Sequence, residues 1–397
     1  MKLTQVPART SLKGKRVFLR VDWNVPAGVL HGEDSIKIEH SIVTLKQLIN
    51  RGAVVIVASH LGRPKGKDPA LSLKRLTRLV SAHSGIDMAF VPEMLDTPKG
   101  LAAARERIAN AEAGSVFVLE NVRFYAGEEK NAMPLSKAFA SLADIFMNDA
   151  FAACHRAHAS VVGVAKLLPH FAGPSLVTEV QALQYLLQKP KHPFVAIIGG
   201  AKISTKIDLI QSVLTFADHV CIGGAMANTL LAAQGKQVGK SMVEKEGLAM
   251  AKKLLKEKKI VLPVDVVVAP SIANGVKVRA TSTDEVKKTE TIGDIGPETM
   301  RQWAELIKKA KTIMWNGPVG VTEIPSFSHG SLVIARAMAV RSKGTAFGVA
   351  GGGDTLPVIF SSGMSEWFDH LSTGGGAMLE FVAKKGKLPG ILALESK

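Results

Sequence analysis

Short apolar, β-branched runs alternate with stretches of helical periodicity through the first half of the chain. The runs predict strands at 16–21, 53–58, 115–119 and 143–147, and the periodic stretches predict helices at 40–50, 72–82 and 135–142. Alternation of this kind is typical of a parallel sheet covered by helices. Ligands of such sheets bind beyond the carboxyl ends of the strands, so the residues that follow the strands are the ones to examine.

The second half repeats the alternation, with strands predicted at 194–198, 219–222, 260–264, 311–315 and 345–349. Between the halves, Gly173-Pro174 is a good helix start, apolar residues recur at helical spacing from Leu176 to Leu187, and Pro190 and Pro193 end the pattern. We interpret this segment as a helix that connects two domains. A surface helix of one larger domain is the alternative.

Composition narrows the class of protein. A chain of 397 residues is long enough for two or three domains. Two cysteines are too few for a disulfide framework, and no apolar run approaches membrane-spanning length, so we expect a soluble protein of the reducing cytoplasm. The formal net charge of +16 favours anionic ligands. Aromatic residues make up only 5%, and no basic stretch is interleaved with them, which favours small phosphorylated ligands over nucleic acid.

Polar and basic residues follow four strands of the first half. In chain order they are Asp22, Asn24, His60, Arg63, Arg123 and Arg156. One such residue is often merely solvated or salt-bridged. Several arginines at one sheet edge, however, would repel one another unless an anion lay among them, and the guanidinium group suits carboxylate and phosphate. The pattern therefore predicts a basic anion pocket.

Glycine-rich loops follow the strands of the second half. They are Gly199-Gly200-Ala-Lys202, Gly223-Gly224, Asn316 to Gly320, and Gly351-Gly352-Gly353-Asp354-Thr355, with Lys206 and Glu323 close by in the sequence. Glycines let backbone amides approach a phosphate, so these loops suit a nucleotide polyphosphate, with magnesium at Asp354 and the ribose at Glu323. The alternative for Asp354 is a plain helix N-cap. Neither a Walker-type motif nor an opening dinucleotide fingerprint is present.

Nine segments, taken in order, resemble the motifs of the phosphoglycerate kinases and together span nearly the whole chain. They are Arg20–Pro26, Ser59–Pro64, Leu119–Phe124, Asn148–Phe151, His155–His158, Gly199–Lys202, Trp315–Gly320, Gly351–Thr355 and Ser372–Gly376. The resemblance implies two Rossmann-like α/β domains, each a parallel sheet wrapped by helices, joined by a hinge helix. It implies a 3-phosphoglycerate-binding domain at 1–172, the hinge at 173–190, a nucleotide-binding domain at 191–376, and a segment at 377–397 that returns to the first domain.

The resemblance also implies the reaction, which is reversible phosphoryl transfer between 1,3-bisphosphoglycerate with ADP and 3-phosphoglycerate with ATP. Mg²⁺ would accompany the nucleotide, and the enzyme would act as a monomer that closes by hinge bending. The implied substrate-binding residues are Asp22, Asn24, Lys37, His60, Arg63, Arg123 and Arg156. The implied nucleotide-binding residues are Gly200, Lys202, Lys206, Gly224, Asn316, Glu323, Gly352, Gly353, Asp354 and Thr355, and Asp354 would also hold the metal. The implied catalytic residues are Lys37, Lys206, Gly375 and Gly376.

No residue of the sequence stands out as a general base, and the implied reaction does not need one. The nucleophile toward ATP would be a carboxylate, which is already ionised near neutral pH, so alignment and charge neutralisation suffice. One position departs from the family pattern, because Lys37 stands where these kinases carry an arginine. Two alternatives therefore stay open: a catalytically weakened relative that binds the same ligands, and a basic α/β protein that binds nucleic acid.

Overall fold

Each half of the chain builds its own parallel sheet. The computed structural model describes residues 2–7, 9–25 and 33–395, without the side chains of residues 33 and 34, and Pro26 of the first motif lies outside this range. The chain divides into a first unit, Met1–Gln181 with Gly386–Lys397, and a second unit, Ala182–Lys385. Within the described residues, each unit contains a six-stranded parallel sheet, which confirms the predicted fold class.

The first unit holds six strands and the helices that connect them. In chain order they are β1 (Arg16–Arg20), α1 (Glu33–Asn50), β2 (Val54–Ala58), α2 (Leu73–Ser84), β3 (Ala89–Val91), α3 (Pro98–Ala109), β4 (Val116–Leu119), α4 (Met133–Ala140), β5 (Ile145–Asn148), β6 (His170–Ala172) and the start of α5 (Pro174–Gln188). The strand order is β3-β4-β2-β1-β5-β6. Arg20 pairs with Ala58 and with Asn148, so the residues after these three strands emerge at one edge.

Local sequence explains the element boundaries. All five residues of β2, Val-Val-Ile-Val-Ala, are buried, as expected of a central parallel strand. Helix α2 has Ser72 as its N-cap and Gly85, in the left-handed conformation, as its C-cap. Helix α1 begins at Glu33, earlier than the predicted residue 40, because the polar stretch before His40 conceals its first two turns.

A buried carboxylate fixes the beginning of α5. Asp149, directly after β5, accepts hydrogen bonds from the backbone amides of Ser175 and Leu176 at 2.8 and 3.1 Å. Its other oxygen accepts from the hydroxyls of Thr44 and Ser175 at 2.5 and 2.9 Å. Burial raises the pKa of Asp149 to about 6, although these hydrogen bonds oppose the shift. The connecting helix is therefore held to the strand edge of the first unit at its N-terminus.

The second unit has the same alternation with one addition. Its elements are β7 (Phe194–Ile198), α6 (Ile207–Leu214), β8 (His219–Ile222), α7 (Ala225–Ala233), α8 (Leu248–Leu254), β9 (Ile260–Val261), β10 (Asp265–Ala269), β11 (Arg279–Ser282), β12 (Thr291–Ile295), α9 (Pro297–Lys309), β13 (Thr312–Asn316), α10 (His329–Gly344), β14 (Phe347–Gly351), α11 (Leu356–Ser361), β15 (His370–Ser372) and α12 (Gly376–Ala383). The parallel sheet has the order β15-β14-β13-β7-β8-β9, and β11-β10-β12 form a separate antiparallel sheet.

The antiparallel sheet is not predicted from the sequence. The strand predicted at 260–264 is only Ile260–Val261, because Pro263 lacks the amide that a sheet ladder needs. The chain then enters β10, which pairs with β11 and, through a register shift, with β12. The other four strands predicted in this half are present within one or two residues of their predicted ends.

The last segment of the chain is shared between the units. Helix α12 belongs to the second unit, where the Ser212 hydroxyl donates to the carbonyl of Val382 at 2.8 Å. Helix α13 (Pro389–Leu392) belongs to the first unit, where the Gly390 amide donates to the carbonyl of Cys154 at 2.9 Å. The division therefore falls after Lys385 and within α5 after Gln181, whereas the sequence places it after 376 and around 173–190. No helix of the described residues has the length and apolar character required to cross a membrane.

Candidate functional site

Six basic side chains gather beyond the strand ends of the first unit. We call them the basic cluster, and they are Arg20, His60, Arg63, Arg123, Arg156 and His158. Burial holds the pKa of His60 well below its ordinary value. The charges of Arg20, Arg123, His158 and Arg156 lower it further. Burial likewise lowers the pKa of Arg123, and the nearby charges of Arg156, Arg20 and Arg63 lower it further. The cluster thus brings together four of the substrate residues predicted from the sequence.

Arg20 is the most deeply buried member, with only 1% of its surface exposed. Its Nε donates to the Ser160 hydroxyl at 3.0 Å, one terminal nitrogen donates to the carbonyl of Val21, and the other lies 3.2 Å from Nδ1 of His60. Each of the three guanidinium nitrogens of Arg20 therefore has one partner within the first unit. The Arg20 side chain therefore forms the buried base of the basic cluster.

Arg123 is oriented by its backbone and by the loop after β2. Its amide donates to Oδ1 of Asn121 at 3.0 Å, and its Nη1 donates to the carbonyl of Gly62. Its Nε is buried and has no hydrogen-bond partner among the described residues, with Glu129 Oε1 lying 3.6 Å away. A buried guanidinium donor without a partner is a place where an anion oxygen would be stabilised.

Asn24, Asp22 and Asn121 shape the loops that carry the cluster. Oδ1 of Asn24 accepts from the Gly62 amide at 2.8 Å, which ties the segment after β1 to the segment after β2. The side chain of Asn121 donates to the carbonyls of Leu61 and Leu71 at 2.8 and 2.9 Å. Oδ1 of Asp22 lies 4.0 Å from Nδ1 of His60. Asp22 and Asn24 therefore lie beside the basic residues, as the sequence predicts.

Lys37 is half-buried in the first turns of α1. One turn later, the Ser41 hydroxyl accepts from the indole nitrogen of Trp23 at 2.7 Å, and Trp23 is fully buried just after β1. This contact fixes the start of α1 against the segment that carries Asp22 and Asn24. The role of Lys37 on a transferring phosphoryl group stays a prediction.

The strand ends of the second unit meet at one edge in the same way. Asn316 pairs with Ile198 and with Gly351, Ile198 pairs with Ile222, and Gly351 pairs with Ser372. The glycine segments that follow these strands, which we call the glycine loops, therefore start side by side. A Cβ added to Gly224, which has φ of +67°, would lie 2.8 Å from the backbone of Gly200, so a side chain there would push two of these loops apart.

Lys206 reaches back under the glycine loops. Its Nζ donates to the Gly199 carbonyl at 2.6 Å, to Asn316 Oδ1 at 2.6 Å and, more weakly, to the Asn316 carbonyl at 3.3 Å. Burial lowers the pKa of Lys206 to about 8, while the charge of Asp354 opposes the shift. The described hydrogen-bond partners of this ammonium group are neutral oxygens, so its positive charge is available to a phosphate.

Asn316 and Thr355 connect the same loops. Nδ2 of Asn316 donates to the Gly351 carbonyl at 2.7 Å, and the fully buried hydroxyl of Thr355 accepts from the Gly317 amide at 2.7 Å. Helix α11 begins after Thr355, and Thr355 rather than Asp354 occupies its N-cap position. The structure therefore does not support the plain N-cap alternative for Asp354, whose carboxylate is exposed on a pocket wall.

That pocket has a volume of about 310 Å³ and lies beside the glycine loops. Gly200, Gly224, Glu323 and Asp354 line it together with apolar residues such as Leu231, Val266 and Ile292. Asp294 is buried in the wall, where it accepts from the amides of Ile295 and Gly330, each at 2.8 Å, and burial raises its pKa to about 7. A mainly apolar pocket that opens next to phosphate-binding loops suits a nucleoside.

The remaining predicted residues lie around these loops. Lys202 is exposed, and its charge adds to the hydrogen bond from Ser204 that chiefly lowers the pKa of Glu244. Gly352 and Gly353 are the first residues after β14, and Gly375 with Gly376 forms the N-terminal end of α12, a few residues after β15. The backbone amides at this helix start lie at the same sheet edge as the loop that carries Asp354.

Sequence reasoning missed several residues of these sites. Arg20 and His158 occur inside the quoted motifs but were not assigned to the site. Arg20 lies between the apolar residues Leu19 and Val21, and a charge inside an apolar run is the signal that identifies it. Ser160, which accepts a hydrogen bond from Arg20, carries no comparable signal. In the second unit, Val266, Ile292 and Asp294 were missed because they belong to the antiparallel sheet.

Comparisons with known proteins agree on one family. A family model described as phosphoglycerate kinase matches residues 8–385. Curated proteins named phosphoglycerate kinase include that of Thermus thermophilus, 45% identical over 388 residues (96% of this chain, 97% of the relative), and that of Deinococcus radiodurans, 43% identical over 390 residues (98% and 93%). Solved phosphoglycerate kinases from Coxiella burnetii and Pyrococcus horikoshii match with TM-scores of 0.83 and 0.84 at 38% and 30% identity, each with 98% of both chains covered.

Proposed function

Because the chain belongs to the phosphoglycerate kinase family, we propose that the basic cluster of the first unit binds 3-phosphoglycerate and that the glycine loops of the second unit bind ADP or ATP. The enzyme is a glycolytic kinase that transfers a phosphoryl group reversibly between 1,3-bisphosphoglycerate with ADP and 3-phosphoglycerate with ATP. The acceptor in the direction of ATP consumption is the substrate carboxyl group.

The basic cluster carries the substrate assignment. Its arginines outnumber the acids in contact with it, and the buried Nε of Arg123 lacks a partner among the described residues. A phosphate and a carboxylate supply the anionic oxygens that such a set requires. We assign substrate binding to Asp22, Asn24, Lys37, His60, Arg63, Arg123 and Arg156.

The assignment is tested by titrating 3-phosphoglycerate into the full chain without nucleotide. Arg123→Gln should weaken binding at least tenfold, since one hydrogen bond to a charged group contributes about 1.5–3 kcal/mol. The matched control is Arg105→Gln, because Arg105 is exposed on α3, where its Nε donates to Ser141. Parent-like affinity of Arg123→Gln would contradict the assignment.

The glycine loops carry the nucleotide assignment. We propose that the pocket takes the nucleoside, with Glu323 on the ribose, and that the backbone amides and lysines hold the phosphates. The residues assigned are Gly200, Lys202, Lys206, Gly224, Asn316, Glu323, Gly352, Gly353, Asp354 and Thr355. The neutral partners of Lys206 support this, because its ammonium group donates hydrogen bonds to backbone and amide oxygens and to no carboxylate among the described residues, although the charge of Asp354 acts on it.

Asp354 fits a magnesium ion that accompanies the nucleotide. Mg²⁺ prefers carboxylate, phosphate and water oxygens, and Asp354 presents an exposed carboxylate on the pocket wall beside the proposed phosphate loops. When bound, the ion would neutralise negative charge on the phosphates. We propose Asp354 as the residue that holds it.

The chain's own groups orient the reactants and neutralise charge. Lys206 and the amides of Gly375 and Gly376 are proposed to stabilise the moving phosphoryl group from the nucleotide side, and Lys37 from the substrate side. The substrate carboxylate is already ionised, so no residue needs to take a proton from it. Since the two ligands are assigned to different units, we propose that transfer requires hinge bending, with α5 as the hinge.

We further propose that the enzyme acts in the cytoplasm as a monomer. Both cysteines are free and buried, which suits a reducing compartment. Sedimentation analysis would test this proposal, and a stable dimer at micromolar concentration would contradict it.

A further inference from the structure

A fully buried acid lies directly beneath the basic cluster. Glu128 has no exposed surface, and its carboxylate accepts from the Ser160 amide at 3.0 Å and from the Ser160 hydroxyl at 2.5 Å. Its backbone carbonyl also accepts from the Ala159 amide at 2.9 Å, and its Oε1 lies 3.8 Å from Nδ1 of His158. Glu128 therefore holds residues 158–160, which directly follow the segment that carries Arg156.

The directions of the hydrogen bonds are fixed by Arg20. An arginine can only donate, so the Ser160 hydroxyl must accept from Arg20 Nε and must use its own proton toward Glu128. Both oxygens of Glu128 consequently act as acceptors, which is the behaviour of a carboxylate. Burial raises the pKa of Glu128, and the charge of Arg20 with the two Ser160 hydrogen bonds opposes that shift.

Arg20 is also the hydrogen-bond donor toward His60. Arg20 donates from Nη2, so Nδ1 of His60, 3.2 Å away, must accept. The neutral imidazole then carries its proton on Nε2, because only one ring nitrogen is protonated in that state. The burial and cationic surroundings that lower the pKa of His60 favour the neutral form. A neutral His60 with Nε2–H is a hydrogen-bond donor for an anion.

We propose that Glu128 and Ser160 are positioning residues of the substrate site, which act through Arg20 to hold His60 in the tautomer that donates Nε2–H to 3-phosphoglycerate. This inference rests on the proposed function of the basic cluster. Glu128 also supplies the countercharge that a guanidinium group with 1% exposure requires. The acid thus supports anion binding although its own charge is unfavourable to an anion.

The charge of Glu128 and its positioning role have opposite effects on anion binding, so the direction of the change in affinity distinguishes them. Removal of a carboxylate close to a cationic site makes the local potential more positive and, by itself, tightens anion binding. Loss of the positioning role weakens binding instead. Glu129 is the matched control, because it is the next residue, is 60% exposed and lies 3.6 Å from Arg123.

The experiment is calorimetric titration of 3-phosphoglycerate into the full chain and its variants without nucleotide. We expect Glu128→Gln and Ser160→Ala each to lose about tenfold in affinity, equivalent to about 1.4 kcal/mol. Glu129→Gln should bind as tightly as the parent or more tightly. In steady-state assays, the KM for 3-phosphoglycerate should rise in the two positioning variants, while the KM for MgATP stays within about twofold.

A spectroscopic readout separates positioning from general loosening. With ¹⁵N-labelled histidine, the parent should show His60 as a single neutral tautomer protonated at Nε2. Ser160→Ala keeps the net charge and the backbone amide, yet it should give a mixture of His60 tautomers. Ser160→Ala also decides the matter if Glu128→Gln fails to fold.

Two outcomes overturn the inference. One is parent-like or tighter binding of 3-phosphoglycerate by Ser160→Ala or by a folded Glu128→Gln, and the other is an unchanged His60 tautomer in Ser160→Ala. Arg123→Gln distinguishes this failure from failure of the proposed function. If Arg123→Gln loses binding while the positioning variants do not, only the positioning role is wrong. If Arg123→Gln also binds normally, the substrate site itself is wrongly assigned.

Discussion

Nucleotide binding should be coupled to proton uptake by Lys206. In the free protein, burial lowers the pKa of Lys206 to about 8, and its Nζ is satisfied by the oxygens of Gly199 and Asn316 rather than by a carboxylate. A polyphosphate next to this ammonium group favours its charged form. We therefore expect binding of MgADP to return the pKa of Lys206 to its ordinary range or above.

The size of the effect follows from the pKa. At pH 8 about half of the free protein carries a neutral Lys206, so about half a proton should be taken up for each MgADP bound. The uptake should fall to about 0.1 proton at pH 7 and rise to about 0.9 at pH 9. Above pH 8, affinity for MgADP should decrease by up to about tenfold per pH unit, because the lysine must be protonated before it can contribute.

Isothermal titration calorimetry measures this uptake when the observed enthalpy is compared between buffers of different ionisation enthalpy. Lys206→Met should abolish the pH-dependent uptake. Lys202→Met is the matched control, because Lys202 lies four residues away but is exposed, and it should retain the uptake. An uptake below about 0.1 proton at both pH 8 and pH 9 in the parent would refute the assignment of Lys206 to the phosphates.

Three further changes test other parts of the molecule. Asp354→Asn should weaken the magnesium-dependent part of ADP binding and leave 3-phosphoglycerate affinity as it is, and titrations at varied Mg²⁺ that match the parent would exclude a metal role. Lys37→Ala should lower kcat at saturating substrates by about a thousandfold with little change in ADP affinity, since a cation on the transferring group contributes about 10³–10⁵ in rate; a loss smaller than about threefold would remove Lys37 from the transition state. For Asp149, the folded pKa of about 6 lies above the ordinary 3.8, so its contribution to the free energy of unfolding is present below about pH 4 and is lost, by about 3 kcal/mol, as pH rises to about 6. The difference in unfolding free energy between the parent and Asp149→Asn should follow that slope in denaturant titrations, and a flat difference would show that Asp149 titrates normally.

The parallel sheets could be predicted because their strands are continuous apolar runs. A strand such as β7, whose five residues are all buried, needs no partner information to be recognised. Strand β10 was missed although its residues Val266 to Ala269 also form a continuous apolar run. Its buried residues alternate with partly exposed ones, and its hydrogen-bond partners begin at Arg279 and Thr291, beyond an intervening loop. Pairing at that separation leaves little trace in a local pattern.

The candidate sites also contain features that could be predicted from the sequence and features that could not. Residues in loops directly after strands, such as Arg123 and Asp354, could be predicted because parallel strands end at one edge. Contacts between residues far apart in the sequence could not be predicted. Ser160 is 140 residues from Arg20, and Asn316 is 110 residues from Lys206, so the hydrogen bonds that orient these cations appear only in the folded chain. The identity of a charged residue was therefore predictable, whereas its partner was not.

The return of residues Gly386–Lys397 to the first unit has a consequence for biosynthesis. The second unit is one uninterrupted stretch of chain, but the first unit includes α13, whose Gly390 amide bonds the carbonyl of Cys154 just before the segment with Arg156. A Cβ added to Gly390 would lie 2.8 Å from the Cα of Cys154, so this packing is close. As the nascent polypeptide leaves the ribosome, the second unit has all its residues first. We expect the growing chain to gain nucleotide affinity before 3-phosphoglycerate affinity, although the residues that bind 3-phosphoglycerate are translated earlier.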